Sequence, residues 1–417
     1  MDIARIMMRE NRLVSLFYLP KLFILCMAVF AVASPNSAQA QDWRFEPIVK
    51  MGGEFDDNPT LNPRTDQEVD LSGLLVEVKA DVYYSSPTTT FFAQPRVLVR
   101  NYNDDVVLDS DDYFLRSTFR RQAKLNTVGF RVNYEQQAIR TGERTDSDLE
   151  IEDPDEITND DTGRVLRFGD REKWIVSPYW EYRLSNLSSI GANVNYVDTR
   201  YDDVFAGILT DYSDARLSLN YRRSLSNVTA WRISLTGRSY DSDSLPEEVD
   251  GYGVLARIDH ALSEKTRVTA AIGYEDTDRS DSETDPEVVG FVTVTRNLES
   301  IRFFAQLRRS AYGSGAGTVS IRDSLNLNFR RRLNERLSAG LGVRAYQTKA
   351  ESGSFSDEGR DYVQLQWNLA WYLSDSFVIE ADYRYTVIDR NDVLGESANS
   401  NRVNLWFIYQ PKTIPRI

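Results

Sequence analysis

From Trp174 to the C-terminus apolar and polar residues alternate one by one, in runs separated by a recurring phrase: a Leu, usually a Ser, then a few polar residues. Leu184-Ser185, Leu225-Ser226, Leu262-Ser263, Leu298-Glu299, Leu333-Asn334 and Leu373-Ser374 mark six copies, 35 to 41 residues apart. At the places 4, 6, 8 and 10 before each Leu only Asp323 is polar; before Leu225 they hold Tyr221, Leu219, Leu217 and Ala215. The places between them hold Arg222, Asn220, Ser218 and Arg216. A period of two sorts side chains onto the opposite faces of a strand, whereas a helix cannot separate them this way. Each run is therefore a strand with one oily and one wet face.

The runs are about 10 to 13 residues long, beyond the usual five or six of soluble sheets and enough for a tilted crossing of a bilayer. Connections alternate between short turns after each Leu and long acidic segments such as Asp56 to Asp70, Arg140 to Arg171, Asp202 to Asp211 and Asp276 to Glu287. A soluble propeller or sandwich also alternates. Short turns at one end and long loops at the other belong to transmembrane barrels. Two places before the six Leu stand Tyr182, Arg223, His260, Arg296, Arg331 and Trp371, aromatic and basic groups suited to the headgroup level.

Two earlier turns, Ser85 to Thr88 and Ala123 to Asn126, extend the series to eight, which makes sixteen strands; Trp43 to Phe55 and Arg402 to Tyr409 add two. The sequence thus predicts an all-β, antiparallel up-and-down barrel of 18 strands (16 as the alternative) in a bacterial outer membrane, with both termini periplasmic. The first strand is the weakest, because Pro47 lacks a ladder donor.

Parity directs nineteen arginines inward: Arg96, Arg100, Arg116, Arg120, Arg131, Arg183, Arg216, Arg222, Arg232, Arg238, Arg257, Arg267, Arg302, Arg308, Arg322, Arg330, Arg344, Arg384 and Arg402. Fewer acids share that face, among them Glu135, Glu181, Asp259, Glu275, Glu380 and Asp382. Guanidinium groups hold carboxylates and phosphates through two parallel bonds, which Lys cannot do. The functional reading is a cationic lumen passing anionic polysaccharide or small anionic solutes. The plainer one is that Arg fills the wall, paired across strands. An 18-strand barrel is wide enough for an aqueous channel unless a loop folds into it, and Arg140 to Arg171 is the candidate plug. Its acids between Glu143 and Asp161 suit divalent cations among surface sugars or a solvated hairpin, the latter being the expectation. A structural or adhesion barrel acting through its acidic loops is the alternative function.

Composition narrows the partners. The chain has 49 basic and 63 acidic residues among 417, one Cys and one His. Residues 1–40 read as a signal peptide: Arg5, Arg9, Arg12 and Lys21 precede an apolar core from Leu22 to Ala33 and the cleavage motif Ala38-Gln39-Ala40. Removing its four basic and two acidic residues leaves 45 against 61, a net charge of −16, which repels nucleic acid. The lone Cys26 lies inside the signal, so residues 41–417 hold neither disulfides nor thiol chemistry. Residues 41–410 form the barrel and 411–417 a short periplasmic tail.

Candidate chemistry is sparse. Barrel hydrolases and proteases mostly use His as general base, and His260 occupies the repeat place of Arg, Tyr and Trp at the membrane rim. Paired carboxylates such as Asp56-Asp57 and Asp202-Asp203 read as loop tips. No metal spacing, phosphate loop or nucleophile motif is found; the expectation is no enzyme, no cofactor and no metal.

Gly53-Glu54-Phe55-Asp56-Asp57-Asn58-Pro59, the stretch from Trp174 to Tyr201 built around Tyr182-Arg183-Leu184-Ser185, and the returning Tyr-x-x-x-Leu-Ser phrase resemble the beta-barrel porins of the second type, an outer-membrane family associated with exopolysaccharide export. The resemblance implies polysaccharide secretion beside a periplasmic polysaccharide-export protein, in contact with outer-membrane lipid and lipopolysaccharide. No catalytic residues carry over.

Overall fold

The computed structural model describes residues 42–64, 69–102, 108–144, 165–166, 168–202, 209–243, 249–278, 286–349, 359–390 and 397–411. Eighteen strands follow one another: β1 (Asp42–Asp56), β2 (Leu71–Ser85), β3 (Thr89–Tyr102), β4 (Ser110–Gln122), β5 (Asn126–Ala138) and β6 (Asp170–Arg183). Next come β7 (Ser188–Asp202), β8 (Tyr212–Ser224), β9 (Thr229–Ser242), β10 (Val249–Ser263), β11 (Thr266–Asp278) and β12 (Glu287–Asn297). The wall is completed by β13 (Ile301–Ser314), β14 (Thr318–Asn334), β15 (Leu337–Lys349), β16 (Arg360–Tyr372), β17 (Phe377–Arg390) and β18 (Ser397–Tyr409). Every strand pairs antiparallel with its chain neighbours, and β1 pairs with β18, closing an 18-strand barrel.

The short turns after Leu184, Leu225, Leu333 and Leu373 share one construction that explains the repeated phrase. Ser185 Oγ accepts the Leu187 and Ser188 amides at 3.2 and 3.1 Å, and Ser226 Oγ those of Val228 and Thr229 at 3.2 and 3.1 Å. Ser374 Oγ takes the Ser376 and Phe377 amides, both at 3.2 Å, and Asn334 Oδ1 the Arg336 amide at 2.8 Å. A short polar side chain thereby satisfies donors that the ladder leaves over. At Leu262 and Leu333 the register shifts by a residue, a bulge that lets two residues make the turn.

Outward residues are apolar and open to the surroundings, as at Leu74, Tyr252, Ile272, Leu307 and Leu405. In water such a surface would cost about 25 cal/mol for each Å², so the barrel needs an apolar medium around it. Pro47 costs the closure nothing toward β18, because the β1–β18 ladder begins only at Val49; before it β1 pairs with β2 alone. Both ends of the wall, Asp42 and Tyr409, lie at the short-turn end.

One expectation fails. Short and long connections do not alternate strictly, because β13 and β14 are joined by residues 315–317 alone, at the end where the other connections are long. The chain there is strand: β14 runs 17 residues, the longest of all. The alternation Ala311, Gly313 and Gly315 continues past the height of the wall, and the turn closes on Gly317, whose φ of 77° suits glycine.

Candidate functional site in the barrel lumen

Among the described residues, the β5–β6 connection and the β13–β14 hairpin enter the lumen at the long-connection end, with Leu61 of the β1–β2 connection packed beside the first. The first leaves β5 through one helical turn, α1 (Ile139–Gly142), every residue of which is buried. Beyond it Arg144, 1 % exposed, reaches the seam. Its Nη1 donates to Asp56 Oδ2 at 2.6 Å and to the Pro59 carbonyl at 2.9 Å, and its Nη2 to Ser400 Oγ at 2.6 Å. Its carbonyl accepts Tyr362 Oη at 3.1 Å. Behind it Arg171 of β6 donates to Glu143 Oε1 at 2.8 Å and to Glu135 Oε2 at 3.5 Å, while Arg140 Nη2 bonds the Leu108 carbonyl at 2.9 Å. Leu61 and Val165 pack on Tyr346, Tyr362, Ile388 and Ala398, inward residues of β15 to β18. At the described ends of the Arg140–Arg171 connection, residues 140–144, Val165 and Arg171 are buried while Phe168 is exposed, so the solvated hairpin expected there does not hold for the buried part. Most of its acids lie outside the described residues.

The stretch Asp56-Asp57-Asn58 is likewise no loop tip. Asp56 also accepts Arg402 Nε at 3.0 Å and Ser400 Oγ at 2.7 Å. Asp57 holds the amide and the side-chain nitrogen of Asn401, each at 2.7 Å, and Asn58 Nδ2 reaches the Asn399 carbonyl at 3.0 Å. Buried charges persist when every lone pair finds a donor. These residues clasp β1 to β18 where the barrel closes, a role that a sequence motif cannot disclose because its partners lie some 340 residues away. Of the second acidic pair, Asp203 lies outside the described residues.

The second segment is the end of the β13–β14 hairpin. Ala311, Val319 and Ile321 pack on Ile175, Val197, Tyr212, Tyr240 and Val249 of β6 to β10, strands that are not its neighbours in the sheet. Arg216 Nη2 donates to the Ala311 carbonyl at 2.6 Å, Tyr240 Oη to the Ser314 carbonyl at 2.8 Å, and the Thr210 amide to the Gly315 carbonyl at 2.9 Å. A Cβ at Gly315 would run into the Tyr201 ring, with Cε2 at 2.7 Å. The hairpin thus leaves the wall and lies against the opposite inner face. The spacing Gly313, Gly315, Gly317 is the mark this hairpin leaves in the sequence.

Near the long-connection end most of the inward arginines have a carboxylate or aromatic partner. Arg96 bonds Glu77 at 2.9 Å and Arg100 pairs with Asp112. Arg238 grips Asp214 through two bonds of 2.9 Å and reaches Glu275 at 3.3 Å, with Arg216 beside the same two acids. Arg384 pairs with Asp382 at 3.0 Å, and Arg322 stacks over Tyr312 and Tyr346 at 4.2 and 4.4 Å. Arg344, buried, faces Asn326 and Gln364 on the adjoining strands.

Toward the short-turn end Arg120, Arg131, Arg222, Arg232 and Arg257 line a cavity of about 690 Å³ together with Glu181, Tyr179, Phe291 and a set of Ser, Asn and Thr side chains, and Arg257 pairs with Asp259 at 3.0 Å. Arg308 and Arg257 both lie over the Phe291 ring, at 5.0 and 5.7 Å. Arg302 stands opposite Arg330, Arg116 opposite Gln94 and Asn133, and Arg267 and Arg183 at the rim, opposite Thr295 and Ser189. Lys50, Lys173, Arg144 and Arg171 join the cationic set; Arg144 lies in the long connection expected for it, whereas Arg171 belongs to β6. His260 faces outward, its Nδ1 2.8 Å from Thr229 Oγ1 on β9. Among the described residues no cluster of His, Cys, Asp and Glu could hold a metal.

No family model matches the chain, and no curated protein does. It is similar to the outer membrane channel DcaP of Acinetobacter baumannii, with 13 % identity over 91 % of this chain and 100 % of that one and a TM-score of 0.44. It is similar also to OccAB4 of Acinetobacter baumannii, with 12 % identity, 91 % and 100 % coverage and a TM-score of 0.44. A ferric enterobactin receptor, PfeA, of Pseudomonas aeruginosa gives 9 % identity, 90 % and 81 % coverage and a TM-score of 0.45.

Proposed function

We propose that this chain is an outer-membrane channel whose arginine-bearing lumen passes anionic polysaccharide or small anionic solutes, with the short-turn end and both termini in the periplasm. The observation that carries the reading is the pairing of an apolar outer wall with a guanidinium-rich cavity inside it. Closed barrels are the one β-architecture that leaves no backbone group unsatisfied in lipid. Fixed cations with low-dielectric walls raise the local concentration of anions. A periplasmic polysaccharide-export protein at the short-turn end is the partner this reading implies.

Reversal potentials in planar bilayers under a salt gradient test it. Anion preference is expected; a cation-selective pore is incompatible with it. The two inward segments favour a second reading, a plugged structural or adhesion barrel, and absence of any conductance would select it.

A further inference from the structure

We infer that the outer wall carries a site for an anionic phospholipid, with Arg296 of β12 and Arg331 of β14 on its phosphate and one acyl chain lying along β13. The site stands apart from the lumen and does not depend on whether the channel conducts. Of the six outward places two residues before each turn Leu, those on β6 and β16 hold the rings Tyr182 and Trp371, those on β8 and β10 Arg223 and His260, and those on β12 and β14 Arg296 and Arg331. Only the last two are arginines in consecutive copies, and both are exposed. The ladder brings them to one spot. Arg296 is paired with Phe303, Phe303 with Phe329, and Ile301 with Arg331, so the two arginines flank β13 at Ile301 and Phe303. A strand spacing of about 4.8 Å and a rise of about 3.4 Å per residue place their Cα atoms roughly 12 Å apart. Two long side chains that snorkel can close on a single phosphate across that distance, each guanidinium offering a fork of two donors.

The same strand shows what an outward arginine looks like when the protein itself supplies the anion. Arg309, at the other end of β13, is held by Glu287 at 2.9 Å and by Asp323 at 3.0 Å. Neither Arg296 nor Arg331 forms an ion pair among the described residues. The acids of the adjoining turns, Glu264, Glu299 and Glu335, are matched in number by Lys265, Arg332 and Arg336, so they do not cancel the pair. An anionic headgroup at the membrane surface is attracted to such cations.

The wall above the pair selects a lipid over a free anion. Outward residues of β13 continue as Phe303, Ala305 and Leu307, and Ala305, set between Val294 and Leu327, leaves a low track between larger side chains. The track ends in a hollow of about 780 Å³ whose lining includes Ile272, Val292, Leu307, Leu325 and Val363; Ile272, Val292 and Leu307 are exposed on the outer face. The hollow lies where β13 turns inward, since its last pair with β12 is Arg309 with Gly290. The four residues from Phe303 to Leu307 rise about 13 Å, close to half of a bilayer core about 30 Å thick. An acyl chain whose phosphate rests on the arginines, in the leaflet on the short-turn side, therefore ends in the hollow.

The test titrates dioleoylphosphatidylglycerol into the folded barrel in a neutral detergent and counts bound lipid by native mass spectrometry, with dioleoylphosphatidylcholine and inorganic phosphate as comparison probes. Phosphatidylglycerol is expected to bind in preference to phosphatidylcholine and to resist displacement by inorganic phosphate. Each cation lost should weaken binding about fivefold, so Arg296→Gln/Arg331→Gln should lose about 25-fold, whereas Arg223→Gln, a lone outward arginine at the same height on β8, should lose no more than about twofold. Ala305→Trp fills the track and should weaken the long-chain lipid while leaving dihexanoylphosphatidylglycerol unchanged. The mobility shift of the heated band shows that each variant is folded. Unchanged binding in the folded double variant, an equal loss in Arg223→Gln, or displacement by free phosphate overturns the site; an equal effect of Ala305→Trp on both lipids overturns the track.

Discussion

Arg144 and Asp56, 88 residues apart in the chain, meet inside the barrel with Nη1 2.6 Å from Oδ2. The contact ties the connection leaving β5 to the seam between β1 and β18, since Asp56 also holds Arg402 across it. Removing one partner of a buried pair typically costs about 3–5 kcal/mol. Asp56 keeps Arg402 and Ser400, so Arg144→Ala is expected at the low end of that range, with larger conductance once the segment is released. Urea unfolding in detergent and bilayer recording check both. If neither changes, the segment is not held by this pair.

The β13–β14 hairpin should narrow the pore. Tyr240→Phe removes one bond, to the Ser314 carbonyl, worth about 1 kcal/mol, and should raise open-channel noise with little change in mean current. Gly315→Val collides with Tyr201 and should displace the hairpin, raising conductance. A current that falls in Gly315→Val would mean the hairpin supports the open lumen.

A charge on the outer wall distinguishes lipid from water. Leu219 and Leu235 are directly paired and exposed; Leu219→Arg or Leu235→Arg should cost about 2–4 kcal/mol in a bilayer. Ser218→Arg, one residue away on the inner face, should cost far less. Folding into vesicles, followed by the mobility shift of the heated band on gels, reads the difference. Equal effects at the two sites would contradict a membrane-facing wall.

The turn serines are expected to matter individually. Ser226→Ala leaves the Val228 and Thr229 amides to water, a loss of about 0.5–1.5 kcal/mol, measurable as a lower urea midpoint; Ser226→Asn should restore most of it. His260→Ala gives up only the bond to Thr229 and should leave conductance unchanged. A marked change in pore properties there would mean that the rim histidine does more than sit in a belt.

Period-two alternation determined the strand character and the direction of Arg222, Arg232 and Arg257, because on a strand the face of a side chain follows from counting along the chain, and the count of short turns set the number of strands. The Leu-Ser phrase located the turns because the Ser hydroxyl acts on amides two and three residues away, well within local reach. Only the tertiary structure decided what fills the lumen. Arg144 finds Asp56, Tyr240 finds Ser314 and Asp57 finds Asn401 because closure brings distant strands face to face, and no local pattern encodes which residues then meet. The hairpin that leaves the wall kept the same alternation as the wall itself. Where it bends inward was settled by the apolar residues of β6 to β10 waiting on the opposite face.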